Sequence, residues 1–562
     1  MNVIFNHVGY APEAKKRLLI EAPAKTAWTE LALVELPSGS AVWSGDAEFV
    51  GVVEGWTMGP WWEVDVSAVQ RPGRYALRWR MVDGALGQSE GFEIAEQLQG
   101  PALISDLLFH IKSQRSSGVW DRADAQAPRW DDRERRDVSG GWFDASGDNS
   151  KYLSHLSYAN VMNPQQNPMV AWVLARAWQR YTTRGQSDYF VERLRDEAQH
   201  GADWLIRMQD ESGFWYVTVF DRWSKDPAQR ELCTYATQAG EKHADYQAGW
   251  RQGGGMAVAA LAVAAQLKEG GAYSIKRYAD AALNGFLHLV QHGLSYLDDG
   301  TENLIDDTCA LLAAAELTVV VPEHAQVRAE LTRRVEQMLA RRRDTDGHVW
   351  LALDGAGERS WFHASDAGLP AIALQRAAEL NPAAPWAQAA TGLAKEWLAS
   401  LQALADEVNN PFGYPPHWVK MPGKAGGRQW FYPHNNPSGY WWQGENAKLA
   451  SLAGAAWTLD PSDDSAQRWV DWILGANPYD VCMMQGRGRH NPTYEDRFFN
   501  GPGGVCNGVT SGFEDEADIA FKPLPWNDRP AQRWRWGEQW LPHAAWLLYA
   551  LAVRDTAQDS SA

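Results

Sequence analysis

Close to residue 100 the hydrophobic rhythm of this chain changes, and no other feature limits its fold so much. Before that point, short runs such as Ala32-Leu33-Val34-Glu35-Leu36, Trp62-Glu63-Val64-Asp65-Val66 and Tyr75-Ala76-Leu77-Arg78-Trp79 alternate apolar and polar residues. A period of two turns one face of a strand toward a core. Pro-Ser-Gly and Arg-Pro-Gly-Arg turns separate the runs, so residues 1–96 predict a small β-sandwich that Glu96 to Pro101 brings to an end. After Pro101 the period is helical: Phe190, Leu194, Ala198, Ala202 and Leu205 recur on one face. About twelve such segments open, near residues 101, 167, 190, 252, 274, 304, 325, 366, 385, 444, 464 and 540. Several, including Met256 to Ala265 and Ala310 to Ala315, are alanine-rich on both faces, as inner helices packed on all sides are. Twelve helices in hairpin pairs fit a closed toroid. The expected fold class is therefore mainly α: an (α/α)6 toroid over residues 101–556 behind the sandwich. The long polar loops 116–166, 211–250, 405–443 and 477–537 would then gather at one rim, and loops of that length are usually functional.

At 562 residues the chain can bury a large core. Its 52 basic against 70 acidic side chains leave a net charge of −18, which disfavours nucleic acid and anionic membrane as partners and mildly favours neutral or cationic ligands. The 31 tryptophans exceed ordinary usage; indole faces suit sugar rings, although most of them would serve the core. Met1 to His7 shows no basic segment followed by an apolar one, and no apolar run approaches transmembrane length. Cys233, Cys309, Cys482 and Cys506 are widely spaced, with free thiols the expectation. The chain reads as soluble and cytoplasmic, and nothing in it fixes an oligomeric state.

The densest chemistry lies in Gly140-Gly141-Trp142-Phe143-Asp144-Ala145-Ser146-Gly147-Asp148-Asn149-Ser150-Lys151-Tyr152. Two carboxylates four residues apart in a Gly/Ser loop can hold a water, but the same residues also build ordinary turns. The EF-hand pattern does not fit, and no metal ligand set is evident. The second feature is Arg533-Trp534-Arg535-Trp536-Gly537-Glu538-Gln539-Trp540-Leu541-Pro542-His543. Pro542 suits the first turn of a last helix, which puts Glu538 at or just before its N-terminus. The helix dipole favours a carboxylate there, whereas enclosure by Trp534, Trp536 and Trp540 would keep it protonated, as a general acid must be.

With these segments in view the chain resembles glycoside hydrolase family 9, the inverting toroid family best known for endoglucanases. Gly140 to Tyr152 is similar to the family's Gly-Gly-Trp/Tyr-x-Asp-Ala-Gly-Asp loop, and Gly201 to Asp210 to its helix ending in Met-Gln-Asp. Trp472 to Pro478 resembles the run into its substrate loop, and Gly537 to Ala550 the helix that bears its acid. The preceding β domain resembles the immunoglobulin-like module often found in front. The resemblance implies Asp148 as the base, Asp144 as the aspartate that helps it hold the water, with the split between them left open by the loop's length, and Glu538 as the acid. Inversion needs such a pair roughly 6.5–9.5 Å apart with a water between them.

Two departures narrow the reading. Asp-Ala-Ser-Gly-Asp is one residue longer than the usual loop, and Asn491 to Arg497 stands where cellulases usually have His-His-Arg. The loop and its continuation through Gln166 are similar to a subgroup of exo-β-D-glucosaminidases that remove glucosamine from the non-reducing end of short chitosan oligomers. The resemblance implies a small oligosaccharide as partner, with a β-1,4-glucanase or cellodextrinase and a non-catalytic sugar-binding toroid as rivals. Glu445 is the candidate for amine or hydroxyl binding, or else the cap of the helix starting there. Trp441 and Trp442 are candidate stacking platforms, and His434, His490 and Tyr494 further candidate contacts. No cofactor is expected; structural calcium is frequent among relatives, without an identifiable ligand set here.

Overall fold

The structure is a computed structural model that describes residues 1–495 and 500–558. Nine strands fill the first 94 residues: β1 (Asn2–Ile4), β2 (Arg17–Glu21), β3 (Trp28–Glu35), β4 (Ala41–Ser44), β5 (Glu48–Gly51), β6 (Trp61–Asp65), β7 (Gly73–Met81), β8 (Leu86–Gln88) and β9 (Phe92–Ile94). One sheet runs β1-β2-β6-β5; the other runs β4-β3-β7-β8, with β9 also paired to β7. Leu18, Ile20, Leu33, Val64, Tyr75 and Leu77 form the core between the sheets. The alternation read from the sequence is what lays them on the inner faces.

Pro101 opens the first of twelve long helices, since a missing N–H costs nothing in a first turn. These are α1 (Pro101–Ser113), α2 (Asn167–Thr183), α3 (Tyr189–Met208), α4 (Gly255–Ala264), α5 (Ile275–His292), α6 (Leu304–Val320), α7 (Ala325–Ala340), α8 (Leu369–Leu380), α9 (Ala387–Asp406), α10 (Asn446–Leu459), α11 (Asp464–Ile473) and α12 (Leu541–Gln558). The even-numbered helices close a ring, each packed on the next and α12 on α2, and the odd-numbered ones lie outside. This is the (α/α)6 toroid. Composition sorts the two layers. In α4 every residue is buried, and its small side chains let the helices approach closely. By contrast, α5 and α11 are amphipathic and bury one stripe.

Buried carboxylates meet the indoles inside the ring. Glu316 Oε1 accepts Trp172 Nε1–H at 3.1 Å, and Asp366 Oδ1 accepts Trp546 Nε1–H at 2.8 Å. Most of the tryptophans are thus structural, as expected. The sandwich is not a separate bead. Ile4, Leu19, Val53, Trp56 and Trp61 belong to the toroid's own hydrophobic core, with Trp61 edge-on to Phe412 at 4.8 Å. His7 reaches further in: its Nε2 lies 2.9 Å from Asp480 Oδ1, in space kept open by Gly475 and Gly488, where any Cβ would strike the imidazole.

Candidate active site

All four long loops reach one rim and line a cavity of about 630 Å³, within the range of small-ligand sites. Residues 116–166 contribute Asp144, Gly147 and Asp148; 211–250 contribute Trp223 and Lys225; 405–443 contribute Trp441 and Trp442; 477–537 contribute Tyr494, Trp534 and Arg535. Glu538 and Trp540 complete the floor, immediately before α12.

The 144–148 loop is stapled to the segment bearing Glu538. Ser146 N–H donates to Gln539 O at 2.9 Å, Gln539 N–H donates to Ser146 Oγ at 3.0 Å, and Leu541 N–H donates to Asp144 O at 2.9 Å. The extra serine therefore binds the two halves of the site together. Gly147 lies against the acid: a Cβ there would fall 2.5 Å from Glu538 Oε1 and 2.6 Å from the Tyr494 hydroxyl. Glu538 has extended backbone between a short helix (Trp534–Gly537) and α12, close to where the sequence put it. Burial first, then the charge of Asp148, push its carboxyl up to about 8, against the opposing Gly147 N–H and Lys225. Glu538 is thus protonated at neutral pH, and desolvation beats the helix dipole.

The two aspartates differ. Asp144 is buried, and its carboxyl is pushed well above the usual range by burial and by Asp148, although Trp540 Nε1–H donates to Oδ1 at 3.0 Å. Asp148 is half-buried and accepts three hydrogen bonds. Ser150 N–H donates to Oδ1 at 2.8 Å; the Tyr152 hydroxyl and Trp223 Nε1–H donate to Oδ2 at 2.7 and 3.2 Å. Behind the loop, Asp124 is clamped by Lys151 at 2.7 Å and by both forks of Arg230, whose Nη1 also holds Asn149 O at 2.7 Å.

Tyr494 and Trp441 line the cavity as expected; Trp442 does too, but as a buried wall. Its Nε1–H donates to Ser511 O at 2.7 Å and the Arg535 guanidinium lies 5.1 Å over its ring. Three candidate contacts lie outside the lining. Glu445 is corrected on both readings: its carboxylate meets Lys448 Nζ at 3.0 Å, His417 Nε2 at 2.9 Å and Tyr432 N–H at 2.6 Å, and it makes no cap bond. His434 is buried with Nε2 2.6 Å from Ser511 Oγ. His490 is a mostly exposed ring with Nδ1 2.7 Å from Asp480 O. Both are occupied with hydrogen bonds to other loop residues. Tyr152, Trp223 and Lys225 escaped notice in the sequence, because a four-stranded sheet brings them in: β10 (Lys151–Tyr152), β11 (Thr218–Phe220), β12 (Glu231–Ala236) and β13 (Glu241–His243). The only hint was a Trp and a Lys inside a long polar loop. Among the described residues no group of three or more His, Cys, Asp or Glu is placed to hold a metal ion. Among them, too, no helix is long and apolar enough to cross a membrane.

Two family models match the chain. The one described as Glycosyl hydrolase family 9 matches residues 104–502, and the one described as Cellulase N-terminal ig-like domain matches residues 1–83. Among solved structures, a Bacteroides ovatus GH9 protein superposes with a TM-score of 0.65 at 18% identity over 99% of both chains. A metagenome-derived glycoside hydrolase family 9 endoglucanase gives the same values. AaCel9A in complex with cellobiose-like isofagomine gives 0.62 at 18% identity over 98% of this chain and 99% of its own. At such identities the likeness is one of fold. No curated protein matches the chain in sequence.

Proposed function

We propose that this chain, which belongs to glycosyl hydrolase family 9, is an inverting exo-β-D-glucosaminidase that releases glucosamine from the non-reducing end of short chitosan oligosaccharides. The observation that carries the reaction is the protonated Glu538 facing, in one indole-lined cavity, a carboxylate that accepts three hydrogen bonds. A water loses a proton to Asp148 while its oxygen bonds to the anomeric carbon. The bond from that carbon to the glycosidic oxygen breaks on the opposite face, and Glu538 gives its proton to the departing oxygen. Solvent then takes the proton from Asp148 and returns one to Glu538. Asp144, whose carboxyl burial and Asp148 push well above the usual range, lies beside the base and can help hold the same water.

Three features support glucosamine: the lengthened Asp144–Asp148 loop, the Asn491–Arg497 sequence in place of His-His-Arg, and the carboxyl groups of Asp144 and Asp148 in the cavity. A cytoplasmic location suits a substrate as small as chitobiose. A second reading, release of glucose units from cellodextrins, is favoured by one observation: Lys225 and Arg535 line the cavity while Glu445 is taken up by Lys448. AaCel9A, of the same fold, was solved with a cellobiose-like inhibitor. Glu538→Gln and Asp148→Asn are expected to fold and to lose turnover by more than about a thousandfold. Near-normal activity in either sinks the mechanism. Chitobiose and cellobiose assayed side by side decide the sugar, with the released anomer read by NMR to test inversion.

A further inference from the structure

The segment Asp221–Lys225 is the most distorted turn near the cavity. Arg222, Trp223 and Lys225 have φ of 59°, 54° and 59°, a left-handed conformation that side chains with a Cβ disfavour. The turn is held by its first residue. Asp221 Oδ1 accepts Trp223 N–H at 3.1 Å and the Ser150 hydroxyl at 2.9 Å, and Oδ2 accepts Lys225 N–H at 2.9 Å. Ser150 ties this anchor to the catalytic loop itself. What the distortion delivers is the Trp223 indole, edge-on to Phe220 at 5.0 Å and to Tyr235 at 5.6 Å, with Nε1–H on Asp148 Oδ2. Strain that persists beside a reaction centre is a pointer to function.

Lone-pair arithmetic says what that function is. A carboxylate offers about four acceptor positions, two on each oxygen. On Asp148, Oδ2 accepts the Tyr152 hydroxyl and shares the one Trp223 N–H with that hydroxyl's oxygen, each at 3.2 Å, and one position on Oδ1 is filled by Ser150 N–H. We propose that Trp223 is a positioning residue for the nucleophilic water: by closing Oδ2 it leaves one acceptor site on Oδ1, and the water binds there. The inference rests on Asp148 being the base. Without the indole N–H, a second site opens on Oδ2. Water then divides between a productive and an unproductive position, and the anionic base loses one of its three donors.

Trp223→Phe tests this, because it keeps a ring against Phe220 and Tyr235 and removes the N–H shared by Asp148 Oδ2 and the Tyr152 hydroxyl. The charged and titratable groups facing Asp148 all stay in place: Asp144 on its own loop, Tyr152 and Tyr235 from the sheet, Tyr494 and Glu538 from the C-terminal side, and Asp221 and Lys225 on the turn. The expected result is a kcat roughly tenfold lower with KM within about twofold, and the acid limb of the kcat/KM profile moved up by about one pH unit. A merely structural indole would not move that limb. Asp221→Asn, which loosens the turn's anchor, is expected to lower kcat likewise with KM little changed. A folded Trp223→Phe enzyme with wild-type kcat and an unmoved limb overturns the proposal. If instead Asp148→Asn retains activity, the base assignment fails, and the proposal with it.

Discussion

At the scale of single residues, the site is an asymmetry of protonation among three carboxyl groups. Burial holds a proton on Glu538 up to about pH 8, while Asp148 keeps its donors. The basic limb of kcat/KM is therefore expected near pH 8, where Glu538 loses the proton it must give away; a limb below about pH 6 in a pH–rate profile would contradict this. Stability has a matching signature. A carboxyl raised by folding contributes its full share below the unfolded value, near 4.5, and loses it as pH rises through about 8. Glu538→Gln removes the penalty of a buried anion. Its melting temperature should equal the wild type's near pH 5 and exceed it by a few degrees at pH 9, as calorimetry at both pH values would show.

At the scale of elements, two segments that looked alike in the sequence divide. Gly147 brings the catalytic loop into contact with Glu538 and Tyr494, so Gly147→Ala must displace one of them. A shift of about 1 Å costs on the order of a hundredfold in kcat, with little change in unfolding free energy. Glu445 behaves oppositely. Glu445→Gln strands the buried Lys448 charge and should lose about 3–5 kcal/mol in denaturant unfolding, with kinetics of the folded fraction unchanged. Sequence patterning carried the long helices well, because alanine-rich inner and amphipathic outer segments differ in period and composition; the twelve starts it gave lie within three residues of those in the structure. Asp144, Asp148 and Glu538 were legible for the same kind of local reason. Trp223 was not: it follows a strand of three residues that pairs across the long polar loops, and its partner Asp148 lies 75 residues away. The fates of His434 and His490 were equally hidden, since Ser511 is remote from the one and the carbonyl of Asp480 becomes visible only in the folded loop.

At the scale of the molecule, all six inner helices start at the catalytic rim and end at the other, so their dipoles add. Arg176, Arg180, Arg184 and Arg376 stand at the far rim near the ends of α2 and α8, where cations offset the accumulated negative ends. The sandwich closes the toroid's flank. Trp56 packs within 6.1 Å of Phe412, Trp430 and Trp472, and Asn6 Nδ2–H donates to Asp471 at 2.6 Å. Sandwich and ring should therefore melt together. One calorimetric transition is expected for the full chain, and a chain lacking residues 1–96 should be insoluble or molten; two well-separated transitions would contradict a shared core.

That shared core also sets an order of events at the ribosome. The sandwich leaves the tunnel before the ring, yet Trp56 and Trp61 find Phe412 and Trp472 only about 400 residues later. At ordinary translation speeds the interval is roughly 20–80 s. For that time a domain with its own finished interior presents a bare indole face to a crowded solution. The sandwich of this enzyme thus keeps an apolar face open to its surroundings until the ring is made.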